Sequence, residues 1–119
     1  MLAVGVTLTI AVLSLLPGEP VSGDRTFSWL IELTPALVQN PMHIVCYAAL
    51  VVSWARVLPV TPLAAIAVAC VTFGALLELG QTLVPGRYGS LLDGLLNGIG
   101  VWVGMLLARR LAGSHTGRA

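Results

Sequence analysis

The chain has 119 residues and a net charge of +1, and it is 57% hydrophobic and only 9% charged. Because soluble domains are roughly 45–50% apolar and 25% charged, this composition excludes an ordinary soluble domain and predicts an integral membrane protein. The chain has no lysine and no basic cluster beyond Arg109-Arg110, which argues against a nucleic-acid partner.

The first apolar segment covers about residues 2–16 and ends at the turn Pro17-Gly18-Glu19-Pro20. It is short for a transmembrane helix, which needs about 17–25 residues. A cleaved signal peptide is the competing interpretation, since Val21-x-Gly23 would suit cleavage. No positive charge precedes the apolar residues, so we favour a retained helix.

The connection over residues 17–39 is the long polar segment of the chain. Residues 26–33 mix apolar and polar types, with Asp24 placed to cap a helix and Trp29 placed to anchor it. A short helix in the membrane interface fits this pattern, and so does a partly ordered loop. Both interpretations stay open.

Three further apolar segments cover about residues 40–58, 62–84 and 90–108. Pro41 suits the first turn of its helix. Arg109-Arg110 is expected to end the last helix and to leave residues 109–119 as a polar tail. We therefore predict one all-α membrane domain over residues 1–119, with four transmembrane helices.

The arginines divide unequally between the two sides of this arrangement. One side holds Arg56, Arg109, Arg110 and Arg118, and the other holds Arg25 and Arg87. Since basic residues are enriched on the cytoplasmic side, both termini are expected in the cytoplasm. The loop over residues 17–39 and the turn at Pro85-Gly86-Arg87 would then face outward.

Polar side chains lie near the outer ends of the second, third and fourth predicted helices. They form three pairs at helical spacing: His43 with Tyr47, Glu78 with Gln81, and Asp93 with Asn97. Residues three or four apart share a helix face. At a rise of 1.5 Å per residue, all of them should lie within roughly 12 Å of the outer helix ends. The sequence therefore predicts one polar layer built from three helices.

Small residues accompany this layer. Gly94-x-x-x-Gly98 and Gly100-x-x-x-Gly104 are candidate helix-contact motifs, because glycine allows two helix backbones to approach closely. Such a face could pair helices within the chain or join two copies of it as a homodimer.

The order of these motifs resembles the VanZ-like family of small bacterial membrane proteins. The resemblance covers about residues 7–108 and rests on the series Asn40-Pro-Met-His43-x-x-x-Tyr47, Glu78-x-x-Gln81, and Pro85-Gly86-Arg87-x-x-Ser90-x-x-Asp93-x-x-x-Asn97-x-x-Gly100. It implies a multi-pass protein of the bacterial cytoplasmic membrane. The name-giving member is associated with resistance to teicoplanin, a glycopeptide that acts on cell-wall precursors at the outer face. Most members have no assigned reaction.

The candidate catalytic residues are His43, Glu78 and Asp93, with His43 as general acid or base and a carboxylate orienting it. Arg87 would bind a phosphate or carboxylate in bidentate fashion. The full set of candidate substrate-binding residues is Asn40, Tyr47, Gln81, Arg87, Ser90 and Asn97. The expected ligand is a lipid or lipid-like amphiphile of the cell envelope.

Three alternatives remain open at this stage. The same site could bind the amphiphile without turnover, or the polar layer could only lock the helices together. A Mg²⁺ ion held by Glu78, Asp93 and a substrate phosphate fits the ligand types, but no metal or cofactor is assigned. Whether the protein is an enzyme is left undecided.

Overall fold

The computed structural model describes residues 1–15, 36–84 and 90–116. These residues form four α-helices and no strand, which confirms the all-helical prediction for the described part of the chain. The helices are α1 (Leu2–Leu15), α2 (Ala36–Val57), α3 (Leu63–Gln81) and α4 (Leu91–Thr116). The interfacial helix proposed for residues 26–33 and the turn at Arg87 lie outside the described residues.

Two helix bounds differ from the prediction. Helix α2 begins at Ala36, so Pro41 lies inside the helix and its placement in the first turn was wrong. Proline has no N–H and therefore removes one backbone hydrogen bond, which a helix tolerates where its surroundings compensate. Helix α4 does not end at Arg109-Arg110 but continues to Thr116. Arginine, leucine and alanine are all strong helix formers, so charge alone does not end this helix.

The helices run alternately up and down. Helices α2 and α4 run parallel, because Gly100 lies against Ile44 and Gly104 lies against Ala48. The end of α3 meets Ser90 at the start of α4. One end of the bundle therefore collects the last turns of α1 and α3 and the first turns of α2 and α4.

The contact between α2 and α4 is the most extensive in the bundle, and two glycines make it possible. A Cβ on Gly100 would lie 2.7 Å from the carbonyl oxygen of Ile44, and one on Gly104 would lie 2.8 Å from that of Ala48. Gly94 and Gly98, in contrast, have no such neighbour within 4 Å. Of the two candidate motifs, α2 therefore covers the one formed by Gly100 and Gly104.

The bundle buries few side chains and exposes many large apolar ones. Leu50 and Val51 are fully buried at its centre, whereas Val68 and Leu79 are each 65% exposed and Trp102 is 61% exposed. Helices α3 and α4 are long and apolar enough to cross a membrane, and only 28% of each apolar window is buried. A core helix of a soluble protein would be mostly buried, so these two helices have the character of membrane spans.

Candidate functional site

Five polar residues meet at the end of the bundle where α3 ends and α4 begins. We call them the polar cluster, and its members are His43, Glu78, Ser90, Asp93 and Asn97. His43 lies in α2 and Glu78 in α3. Asp93 and Asn97 lie in α4, and Ser90 immediately precedes that helix. The cluster therefore joins three helices at one end of the bundle.

Ser90 connects α3 to α4. It immediately precedes Leu91, and its hydroxyl oxygen accepts a hydrogen bond from the backbone N–H of Asp93 at 3.4 Å. Its own backbone N–H donates to Oε2 of Glu78 at 3.0 Å. A serine three residues before an acidic residue is a helix-capping pattern. The start of α4 is thus fixed locally by its own sequence and tied to α3 by a carboxylate.

His43 connects α2 to α4 through both ring nitrogens. Nδ1 lies 2.8 Å from Oδ1 of Asn97, and Nε2 lies 3.9 Å from Oδ1 of Asp93. The side chains of His43 and Asp93 are 27% and 29% exposed, whereas Asn97 is only 4% exposed. The imidazole is therefore anchored by a buried amide, while about a quarter of its own side chain stays exposed.

The remaining predicted site residues are placed differently. Tyr47 is buried, with its ring against Gly74, where an added Cβ would lie 2.9 Å from the tyrosine hydroxyl. The amide of Gln81 is also buried and donates from Nε2 to the carbonyl oxygen of Ser14 at 3.1 Å. Gln81 therefore contacts α1 rather than the polar cluster. Asn40 is half-buried at the start of α2, and Arg87 lies outside the described residues.

A second polar contact, which the sequence did not reveal, joins α1 to α2. The indole N–H of Trp54 donates to the hydroxyl of Thr7 at 3.0 Å, and that hydroxyl donates to the carbonyl oxygen of Ala3 at 2.8 Å. Thr7 and Trp54 are 47 residues apart, and no spacing rule connects them. The capping pattern of Ser90 and Asp93, in contrast, is visible in the sequence.

An apolar cavity of about 300 Å³ lies between α1, α2 and α3, next to this second contact. Its lining residues are Thr7, Leu50, Trp54, Leu58, Ile66, Ala69, Cys70 and Phe73. The cavity shares no residue with the polar cluster. The cavity is therefore separate from the polar cluster.

Charge is separated along the bundle. Within residues 1–15, 36–84 and 90–116, the acidic side chains are Glu78 and Asp93, both in the polar cluster. The arginines of the same residues are Arg56, near the end of α2, and Arg109 and Arg110, in the last part of α4. The described part of the chain contains no group of three or more histidine, cysteine, aspartate or glutamate residues that could hold a metal ion. One end of the described bundle is thus acidic and the other is basic.

A family model described as VanZ/LLP1 matches residues 5–112, which is nearly the whole chain. The chain belongs to the VanZ/LLP1 family. The resemblance inferred from the motifs is therefore confirmed, and all of the polar cluster lies inside the matched region. No curated protein and no solved structure matches this VanZ/LLP1 chain with significant similarity.

Proposed function

We propose that this VanZ/LLP1 protein crosses the bacterial cytoplasmic membrane four times, with both termini in the cytoplasm. The apolar surfaces of α3 and α4 support this proposal, and so do the alternating helix directions. The 22 residues of α2 are enough for a span, although α2 also carries His43 and Arg56. Placing the basic end of the bundle in the cytoplasm agrees with the positive-inside rule.

Reporter fusions test this topology. Green fluorescent protein attached after Ala119 should fluoresce, because it folds in the cytoplasm. Alkaline phosphatase at the same position should be inactive, because it needs export. An active phosphatase fusion and a dark fluorescent fusion would reverse the orientation, and with it the side that the polar cluster faces.

We further propose that the polar cluster is an outward-facing site that binds or modifies an amphiphile of the cell envelope. The observation that carries this proposal is the exposure of His43 and Asp93. About a quarter of each side chain is accessible, although both lie in a layer that otherwise links helices. A site needs a face that its ligand can reach, and the exposed parts of these two side chains provide one.

The geometry gives each group of the cluster a chemical role. His43 can accept a proton or a hydrogen bond from the ligand at Nε2, and the nearby Asp93 carboxylate stabilises the positive charge that the ring then gains. Glu78 and Ser90 fix the start of α4 and therefore the position of Asp93. A phosphate-binding role for Arg87 remains a prediction from the motif. No leaving group or covalent intermediate is assigned.

Teicoplanin susceptibility tests this function. Cells that express the wild-type protein are compared with cells that express His43→Ala or Asp93→Asn, and membrane abundance is measured by immunoblot for each. We expect resistance from the wild type and its loss in both variants at unchanged abundance. Equal susceptibility of wild-type cells and cells with an empty vector would contradict the link to this antibiotic.

A structural lock is the second candidate function, and one observation favours it. In the described part of the chain, no buried side-chain nitrogen or oxygen lacks a hydrogen-bond partner, as expected where polar groups hold helices together. This alternative predicts that His43→Ala and Asp93→Asn lower the amount of protein in the membrane. Resistance would then fall in proportion to abundance, rather than at constant abundance.

A further inference from the structure

The hydrogen bond between His43 and Asn97 selects a tautomer of the imidazole, according to which amide atom faces the ring. Nδ1 lies 2.8 Å from Oδ1 of Asn97. An amide oxygen has no hydrogen and can only accept, so this bond exists only if Nδ1 donates. A neutral imidazole has a single N–H. With the amide in this orientation, the neutral ring has its hydrogen on Nδ1 and an unshared electron pair on Nε2. With the amide nitrogen towards the ring, the hydrogen would lie on Nε2 instead.

The second ring nitrogen lies near the carboxylate of Asp93. Nε2 lies 3.9 Å from Oδ1 of Asp93, which is beyond hydrogen-bond distance. Both Nε2 of the neutral ring and the carboxylate oxygen are acceptors, so a hydrogen-bond donor can reach Nε2, or both atoms together, from one side. Since both side chains are partly exposed, such a group can approach from outside the bundle.

The position of Asn97 is itself fixed by the packing of α4. Gly100, one turn further along α4, lies against the backbone of Ile44, the residue after His43. This close backbone contact sets the register of α4 against α2 and so places the amide opposite the imidazole. Asn97 is 4% exposed, so water does not compete for its oxygen.

We propose that Asn97 is a positioning residue that holds neutral His43 in the Nδ1–H form and leaves Nε2 free to accept from the ligand. The ligand group that it serves is a hydrogen-bond donor, such as a hydroxyl or an amine on the amphiphile. The use of this arrangement rests on the proposed function. The tautomer itself does not, and it can be measured without any ligand.

Nitrogen NMR of the full chain, labelled with ¹⁵N-histidine in lipid nanodiscs at alkaline pH, tests the proposal. A His115→Gln background leaves His43 as the single histidine. We expect the directly bonded hydrogen on Nδ1. Asn97→Leu should shift it to Nε2, the form that free histidine prefers, whereas Asn97→Asp retains an acceptor oxygen and should preserve the Nδ1–H form.

Gln81→Leu is the matched control, because Gln81 is also a buried amide but bonds to Ser14 on α1. It should leave the His43 tautomer unchanged. Hydrogen on Nε2 of His43 in the wild type would overturn the proposal, and this result does not depend on whether Asn97→Leu folds. An Nδ1–H signal that persists in folded Asn97→Leu would also overturn it. If the wild type shows Nδ1–H but His43→Ala keeps full resistance, the proposed function fails and the positioning role stands.

Discussion

The carboxylate of Glu78 accepts a hydrogen bond from the backbone N–H of Ser90 across 3.0 Å. This bond joins the end of α3 to the residue that caps α4, although the turn between them includes residues outside the described part. It fixes the first turn of α4 and thereby the two side chains, Asp93 and Asn97, that face His43. The contact between Glu78 and Ser90 at the start of α4 therefore helps to hold the polar cluster in place.

Substitutions at Glu78 should separate the contribution of its hydrogen bond to stability from that of its charge. Glu78→Gln keeps an acceptor oxygen and should reduce the free energy of unfolding by about 1 kcal/mol. Glu78→Leu removes the acceptor and should cost about 1.5–3 kcal/mol, the range for hydrogen bonds to charged groups. Thermal unfolding in detergent measures both. Equal stability of the Leu and Gln variants would contradict the capping role.

Alanine substitutions at the glycines of α4 should differ in their effect on stability, according to whether each glycine contacts α2. Gly100→Ala and Gly104→Ala place a methyl group within 3 Å of the α2 backbone and should destabilise the protein by about 1–3 kcal/mol. Gly98→Ala is the matched control, with nothing within 4 Å. It should be neutral or stabilising by up to about 1 kcal/mol, because alanine is the better helix former. A comparable loss of stability in all three variants would argue against the α2–α4 contact.

Gly74 and Tyr47 should show strong energetic coupling. Gly74→Ala brings a methyl group to 2.9 Å from the Tyr47 hydroxyl and 3.0 Å from its ring, and it should cost about 1–3 kcal/mol. Tyr47→Leu removes the obstructing ring, so the same alanine should cost much less in that background. A double-mutant cycle on unfolding free energies measures the difference. Additive effects would show that the ring does not occupy this position.

Helix α1 should be part of the mature bundle. Thr7 accepts the Trp54 indole hydrogen, so Thr7→Val should cost about 1 kcal/mol, whereas Thr7→Ser keeps the hydroxyl and should cost less. Unfolding in detergent compares the two. Mass spectrometry of protein purified from membranes should also detect peptides from α1. A mature chain that starts after Val21-x-Gly23 would support the signal-peptide alternative instead.

The sequence was most informative where a short-range rule applied. The positions of His43, Glu78, Asp93 and Asn97 near the same ends of their helices predicted one layer. Asp93 and Asn97, four residues apart, also share a helix face. Helical spacing did not reveal that Gln81 bonds to α1, since its spacing from Glu78 is also compatible with the polar layer. The sequence did not reveal the helix bounds at Ala36 and Thr116, because proline and arginine do not by themselves end a helix and arginine is a strong helix former.

Thiol labelling from outside intact cells tests the central claim, that the polar cluster opens to the outer face. The native thiols Cys46 and Cys70 are free and are replaced by alanine, and Asp93→Cys is then treated with a membrane-impermeant maleimide. We predict labelling at Asp93→Cys and little at Asn97→Cys, one turn deeper and 4% exposed before substitution. Labelling of Asp93→Cys only after permeabilisation would place the cluster on the cytoplasmic side and contradict the account. Labelling of Asp93→Cys that is no stronger than that of Asn97→Cys would also contradict it.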